Sequence, residues 1–172
     1  MTPSVLNEDV EIRRAGAADA EGIVRLTQRV AADAPFYLAY DIDPASGAEV
    51  LQAKLAGDEG GDAIIVAALQ ETIVGAALLR RHMHPAFAGV LQFALSVDPS
   101  WRRRGLGAGL TQAALDAARE AGARRVQLAV VDDNAGARRL FERAGFVVEG
   151  RLRAAAEIGG ARHDVVAMAC LL

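Results

Sequence analysis

The sequence predicts one domain of the α/β (α+β) class, built on a single mixed central sheet. Apolar runs of strand length alternate with helical patterns along its 172 residues, a length that allows a sizeable core. Residues 90–131 have a strand-helix-strand order, which predicts two parallel strands joined by a right-handed crossover. The strands at either end of the chain should run antiparallel.

The first third of the chain predicts one strand and two helices. Residues 10–14 alternate like a short strand, and a helix begins near Asp19 and ends before the pair Ala34-Pro35. Ser46 can cap a second helix that ends near Gly57.

The middle of the chain predicts a hairpin, a central strand and a longer helix. Residues 63–69 and 72–79 are apolar runs separated by two residues, the spacing of a β-hairpin. Residues 90–97 form the next run, and Pro99 ends it because proline lacks a donor for the ladder. The helical pattern from Gly105 carries an apolar face made of Leu106, Leu110, Ala114, Leu115 and Ala118.

The last third predicts a strand, a short helix and a closing hairpin. Residues 126–131 read as a buried strand, after which Asn134 begins a helix that Gly145 ends. Residues 146–152 and 162–171 supply the two strands of the hairpin.

An anion site is predicted where the central strand passes into the longer helix, at Arg102-Arg103-Arg104-Gly105-Leu106-Gly107-Ala108-Gly109. Glycines let the backbone approach a ligand, and the first helical turn leaves N–H groups unpaired at the positive end of the helix dipole. Arginine adds charge and forked donors. A phosphate-bearing ligand fits this combination.

Two common phosphate motifs do not fit the segment. A P-loop needs Gly-Lys followed by Ser or Thr, and no such triplet follows Gly105. A dinucleotide fingerprint needs its first glycine directly after the strand, whereas seven residues (98–104) intervene here. The remaining pattern is Arg-x-x-Gly-x-Gly after a strand and a proline-bearing turn.

This pattern resembles the pyrophosphate loop of the GCN5-related N-acetyltransferases (GNAT), which binds coenzyme A. Residues 134–146, from Asn134 to the Gly145-Phe146 pair, resemble a second motif of that family. The tail, residues 146–168, is similar to the closing hairpin of bacterial members that acetylate amino acids and polyamines. The resemblance implies the GNAT fold, with helices on both faces of the sheet.

The resemblance also implies acetyl-CoA as co-substrate, with no metal. Backbone groups of Val97 and its neighbours would meet the pantetheine arm. Asn134 would contact coenzyme A, although an ordinary helix cap explains it too. The implied cofactor-binding residues are Leu95, Val97, Arg102, Arg103, Arg104, Gly105, Leu106, Gly107, Ala108, Gly109 and Asn134.

The resemblance also implies an acceptor site. Relatives form the acceptor wall at the positions of Tyr37, Tyr40, Asp41 and the neighbouring Asp43. The two aspartate carboxylates either attract a cationic amine or belong to a solvated loop. Gln92 is a further substrate-binding candidate, on the strand where many relatives place a glutamate base.

The catalytic acid and base are not assigned by the resemblance. Gln92 cannot usefully accept a proton, which leaves His82 and His84 as candidate bases or as ordinary loop histidines. Phe141 replaces the tyrosine that many relatives carry, so we expect a core aromatic there rather than an acid.

Composition sets the remaining expectations. A formal charge of −3 argues against a dedicated nucleic-acid binder, and no run of about 18 apolar residues predicts a membrane span. Residues 1–10 lack a signal-peptide pattern, so we expect a cytoplasmic protein, with Cys170 as a core residue. The resemblance suggests a homodimer, and the apolar residues 165–172 form either a pairing edge or an internal strand.

The expected function is acetyl-CoA-dependent acetylation of a small-molecule amine, an amino acid or a related amine, by direct attack on the thioester. A module that binds acyl-CoA without turnover, as a sensor or as support for a partner, is the alternative that Phe141 and Gln92 keep open.

Overall fold

The computed structural model describes residues 9–33, 47–56 and 62–172, which form four α-helices and seven β-strands. In chain order the elements are β1 (Val10–Arg14), α1 (Ala20–Asp33), α2 (Gly47–Ala56), β2 (Ala63–Leu69), β3 (Thr72–Arg81), β4 (Val90–Val97), α3 (Leu106–Glu120), β5 (Arg125–Val131), α4 (Ala135–Arg143), β6 (Val147–Ile158) and β7 (Ala161–Leu171).

All seven strands form one mixed sheet in the order β1-β2-β3-β4-β5-β7-β6. The β4–β5 pair is parallel and every other neighbouring pair is antiparallel, which confirms the predicted fold class. β7 lies between β5 and β6, so the apolar residues at the end of the chain belong to an internal strand. The two edge strands of the sheet are β1 and β6.

Helices cover both faces of the sheet, and α3 buries the apolar face that the sequence predicts for it. α1 packs Ile23, Leu26 and Val30 against β2 and β3. α3 buries Leu106 and Leu110, with the rest of its predicted face, on the opposite side of the sheet, where α4 adds Phe141. In the described ranges, no helix is both long enough and apolar enough to cross a membrane.

The closing hairpin is longer than the sequence predicts. β6 continues to Ile158 because a register shift between Leu152 and Ala156 absorbs the extra residues, and Ala154 there has a φ of 52°. The turn is formed by Gly159 and Gly160, both with positive φ, as a two-residue hairpin requires.

Candidate active site

The two parallel strands at the centre of the sheet separate along their length. Residues 90–92 of β4 pair with residues 125–127 of β5, and the ladder ends there. β4 nevertheless continues to Val97 and β5 to Val131, each paired on its outer side. We call the opening between them the β4–β5 cleft. It widens towards the C-terminal ends of both strands.

Backbone groups of β4 face into this cleft. The N–H of Asp98 donates to the carbonyl of Val74 at 3.0 Å, and the β3–β4 register is regular from that point. Opposed residues in an antiparallel ladder alternate between bonded and non-bonded pairs, so Phe93, Leu95 and Val97 direct their backbone groups away from β3. Leu95 and Val97 therefore present backbone groups to the cleft, and their contacts with pantetheine stay a prediction.

The segment between β4 and α3, residues 98–105, ends beside the mouth of the cleft. We call it the arginine loop. Arg103 and Gly105 have φ values of 61° and 85°, and Gly105 is the N-cap of α3. The backbone N–H groups of residues 103–108 find no acceptor among the described residues. Such a row of unpaired amides at a helix N-terminus binds anions.

The three arginines of the loop are exposed, and two of them have intramolecular contacts. Nη1 of Arg102 lies 2.6 Å from Oδ2 of Asp33, the last residue of α1, and its Nε lies 3.4 Å from the Val97 carbonyl. The guanidinium of Arg104 lies 5.0 Å from the ring centroid of Trp101, a cation–π contact. The side chain of Arg102 therefore bridges α1 and the mouth of the cleft.

Gly107 has a packing role that the sequence does not reveal. A Cβ there would lie 2.8 Å from Cδ1 of Leu140 and 3.5 Å from Cδ2 of Leu95. The absent side chain therefore lets α3 pack closely against α4 and β4. Gly105, with its positive φ, is the glycine that the turn itself requires.

A partly buried ion pair holds the start of the loop against α1, since the side chain of Asp98 is 13% exposed and that of Arg29 is 41% exposed. Nε of Arg29 lies 2.7 Å from Oδ2 of Asp98, and its Nη2 donates to the Ile73 carbonyl at 2.9 Å. Burial raises the pKa of Asp98, but hydrogen bonds from Ser100 and Arg29 outweigh it and hold that pKa below its usual value. The carboxylate thus stays ionised and fixes the turn that precedes the loop.

Asn134 lies between β5 and α4 and caps that helix. Its Oδ1 accepts the backbone N–H of Ala137 at 3.2 Å, as expected for an N-cap. Its contact with coenzyme A stays a prediction.

A row of polar side chains crosses the sheet at the closed end of the cleft. Gln127 donates through Nε2 to Oε1 of Gln92 at 3.1 Å, and Arg125 donates through Nε to Oε1 of Gln127 at 2.9 Å. Arg125 also binds Glu149 through both Nη atoms, with Nη1 2.7 Å from Oε1. Hydrogen bonding to Glu149 raises the pKa of Arg125, so the row ends in a firmly charged pair. We call these four residues the amide row.

The candidate bases His82 and His84 lie in the β3–β4 connection, which leads to the closed end of the cleft. Nδ1 of His82 accepts the backbone N–H of His84 at 3.2 Å, and Nδ1 of His84 accepts that of Ala86 at 3.1 Å. The neutral rings therefore carry their proton on Nε2. Either ring must release its turn hydrogen bond before it can accept a proton, and a role as base stays a prediction.

Phe141 is a core residue, as the sequence analysis expects. Its side chain is buried, and its ring lies 5.9 Å from that of Phe93 and 5.8 Å from that of Phe146 between centroids. The position holds no proton donor.

The remaining acceptor candidates, Tyr37, Tyr40, Asp41 and Asp43, lie outside the described residues. Within the described ranges, no three histidine, cysteine, aspartate or glutamate side chains converge as the ligands of a metal ion would.

Comparison with known proteins identifies the family. A sequence model of the acetyltransferase (GNAT) family matches residues 28–146, which is more than half of the chain. The chain belongs to the GNAT family, whose members use acetyl-CoA. This result and the observed sheet confirm the family resemblance and the fold that it implies.

Individual relatives agree with this assignment. A segment of 54 residues is 50% identical to a mycothiol acetyltransferase of Beutenbergia cavernae, but it spans only 18% of that protein and 31% of this chain. The structure of a GNAT-family acetyltransferase from Streptococcus pneumoniae superposes with a TM-score of 0.85 at 25% identity, over 95% of this chain and 99% of that one. The YncA structure of Salmonella typhimurium, solved with its cofactor acetyl-CoA, shares the fold with a TM-score of 0.84 at 20% identity, over 96% of this chain and 95% of that one.

Proposed function

We propose that this protein transfers the acetyl group of acetyl-CoA to the amine of a small molecule, an amino acid or a related amine. The observation that supports the proposal is the β4–β5 cleft, which opens beside the unpaired amides of the arginine loop. An extended thioester with a diphosphate at one end matches a cleft lined by backbone groups that ends at an anion site.

The arginine loop would hold the diphosphate. Backbone N–H groups of residues 103–108 can donate to its oxygens, and the guanidinium of Arg102 can turn from Asp33 towards it. Arg103 and Arg104 are exposed in the same loop and would add positive charge for the 3′-phosphate of coenzyme A.

The reaction needs few side chains. The neutral amine attacks the carbonyl carbon of the thioester, a C–N bond forms, the C–S bond breaks, and the amine proton passes to solvent or a base. Backbone N–H groups that face the cleft can stabilise the carbonyl oxygen as it gains charge. A thiol with a pKa of about 8.5 leaves without an acid, which suits a site where Phe141 offers none.

Assay of acetyl-CoA with a panel of amines, read by thiol release and by the mass of the acetylated product, tests the proposal. We expect thiol release that depends on the amine and yields one acetylated product. A protein that binds acetyl-CoA by calorimetry but releases no thiol with any amine would refute catalysis and favour an acyl-CoA-binding module. Hydrolysis without amine is the background control.

A further inference from the structure

The amide row fixes the polarity of Gln92. A guanidinium has only donors, so Gln127 must present its oxygen to Arg125, and its nitrogen is then the atom that faces Gln92. Gln92 must in turn present its oxygen to Gln127. The NH2 group of Gln92 therefore has no partner within the amide row. The ion pair between Arg125 and Glu149 sets this direction from outside the cleft.

The NH2 group of Gln92 lies at the end of the cleft where the reaction would occur. Gln92 and Gln127 form the last rung of the parallel ladder, and the two strands separate immediately beyond them. Gln92 shares its face of the sheet with Ala76 and Leu78 of β3, against which α1 packs, since it is in register with Arg80 on that strand. The side chain is half-buried, and its NH2 group has no acceptor in the described part of the chain.

We infer that Gln92 is a specificity-determining donor that binds an oxygen of the acceptor next to its amine, and that Gln127 and Arg125 are positioning residues. This inference rests on the proposed function and narrows its substrate class. The acceptor carries a carboxylate or an amide carbonyl beside the nucleophilic nitrogen, as an amino acid or its carboxamide does. A fixed amide donor forms a hydrogen bond with such an oxygen. An acceptor that lacks the oxygen leaves this donor unpaired.

Matched acceptors separate the possibilities. Each set consists of an amino acid, its carboxamide and the amine that remains when the carboxyl group is removed, assayed with acetyl-CoA by thiol release. We expect kcat/KM for at least one oxygen-bearing member to exceed that of the plain amine by about tenfold or more. A preference for the amino acid over the carboxamide identifies a carboxylate, and the reverse identifies a neutral carbonyl. Equal kcat/KM for all three would overturn the inference.

Two variants test the residues. Gln92→Leu removes the donor and should lower kcat/KM for the preferred acceptor by about tenfold, with little change for the plain amine. Gln127→Glu keeps an oxygen for Arg125 but cannot donate, so Gln92 should turn its NH2 group towards the new carboxylate and present its oxygen to the cleft. The acceptor preference should then be lost although Gln92 is intact.

The second variant distinguishes a positioning role from a merely structural one. If Gln127 only stabilised the fold, Gln127→Glu would lower the melting temperature and leave the acceptor preference unchanged, and that result would overturn the inference. The matched control is Gln112→Glu, the same change at an exposed glutamine of α3, which should leave the preference intact.

Failure of the proposed function is distinguishable from failure of this inference. If no amine releases thiol, the proposed reaction is wrong. The side-chain NH2 signal of Gln92 in ¹⁵N NMR spectra of the protein with coenzyme A then decides the inference. A shift on adding the amino acid but not the plain amine supports the donor role, and an unchanged signal refutes it.

Discussion

Replacing Asp33 with asparagine should tighten the binding of coenzyme A. Asp33 ends α1 and places its carboxylate 2.6 Å from Nη1 of Arg102, the first arginine of the motif expected to bind diphosphate. A phosphate group that binds this guanidinium must displace or share that partner. The phosphate also approaches the negative charge of the Asp33 carboxylate. Asparagine removes the charge and keeps the shape.

The magnitude follows from exposure. The side chains of Arg102 and Asp33 are 38% and 50% exposed, so solvent screens their attraction. Exposed pairs of this kind contribute about 0.2–1 kcal/mol, and removing the competitor should lower the Kd of coenzyme A by a factor of about 1.4 to 5. At about 1 M salt the Debye length falls to about 3 Å, and the variant and the parent protein should then bind alike.

Isothermal titration calorimetry at low and high salt measures the effect. The matched control is Glu21→Gln, which removes the exposed acidic partner of Arg25 on the same helix and should leave the Kd unchanged. Weaker binding by Asp33→Asn would refute the reasoning. It would show that Asp33 holds Arg102 in the geometry that the ligand needs.

Two further predictions concern stability. Gly105→Ala forces a side chain into a φ of 85° and should lower the free energy of unfolding, measured in urea, by about 1–2 kcal/mol. The control Gly16→Ala, at a φ of −110° with open space around it, should change that free energy little. Equal losses in the two variants would contradict the prediction. The hydrogen bond from Arg13 is the main cause of the lowered pKa of Asp19. The ionised carboxylate therefore adds to the free energy of unfolding above the unfolded pKa of about 3.9, and this stabilisation is lost as pH falls through the folded pKa. The stability difference between the parent protein and Asp19→Asn should therefore shrink as pH falls below about 4, and a difference that stays constant from neutral pH into this range would show that the charge is not responsible.

The sequence predicts the fold well because the signals for its elements are local. Alternation and helical periodicity over short windows mark most of the strands and helices, and β4 (Val90–Val97) has the predicted bounds. The anion site is also local, since Gly105 and the first turn of α3 adjoin in the chain. The extension of β6 is missed because a register shift depends on the partner strand.

The sequence by itself determined the mixed sheet, the end of α4 before Gly145 and the family, since each depends on neighbouring residues or on a contiguous motif. Only the tertiary structure decided where the β4–β5 ladder ends, that Arg102 meets Asp33 from a distance of 69 positions, and that Gln92 is linked to Gln127 from 35 positions away. These contacts form between segments that fold onto different parts of the sheet, and neither segment's composition specifies the register that brings them together.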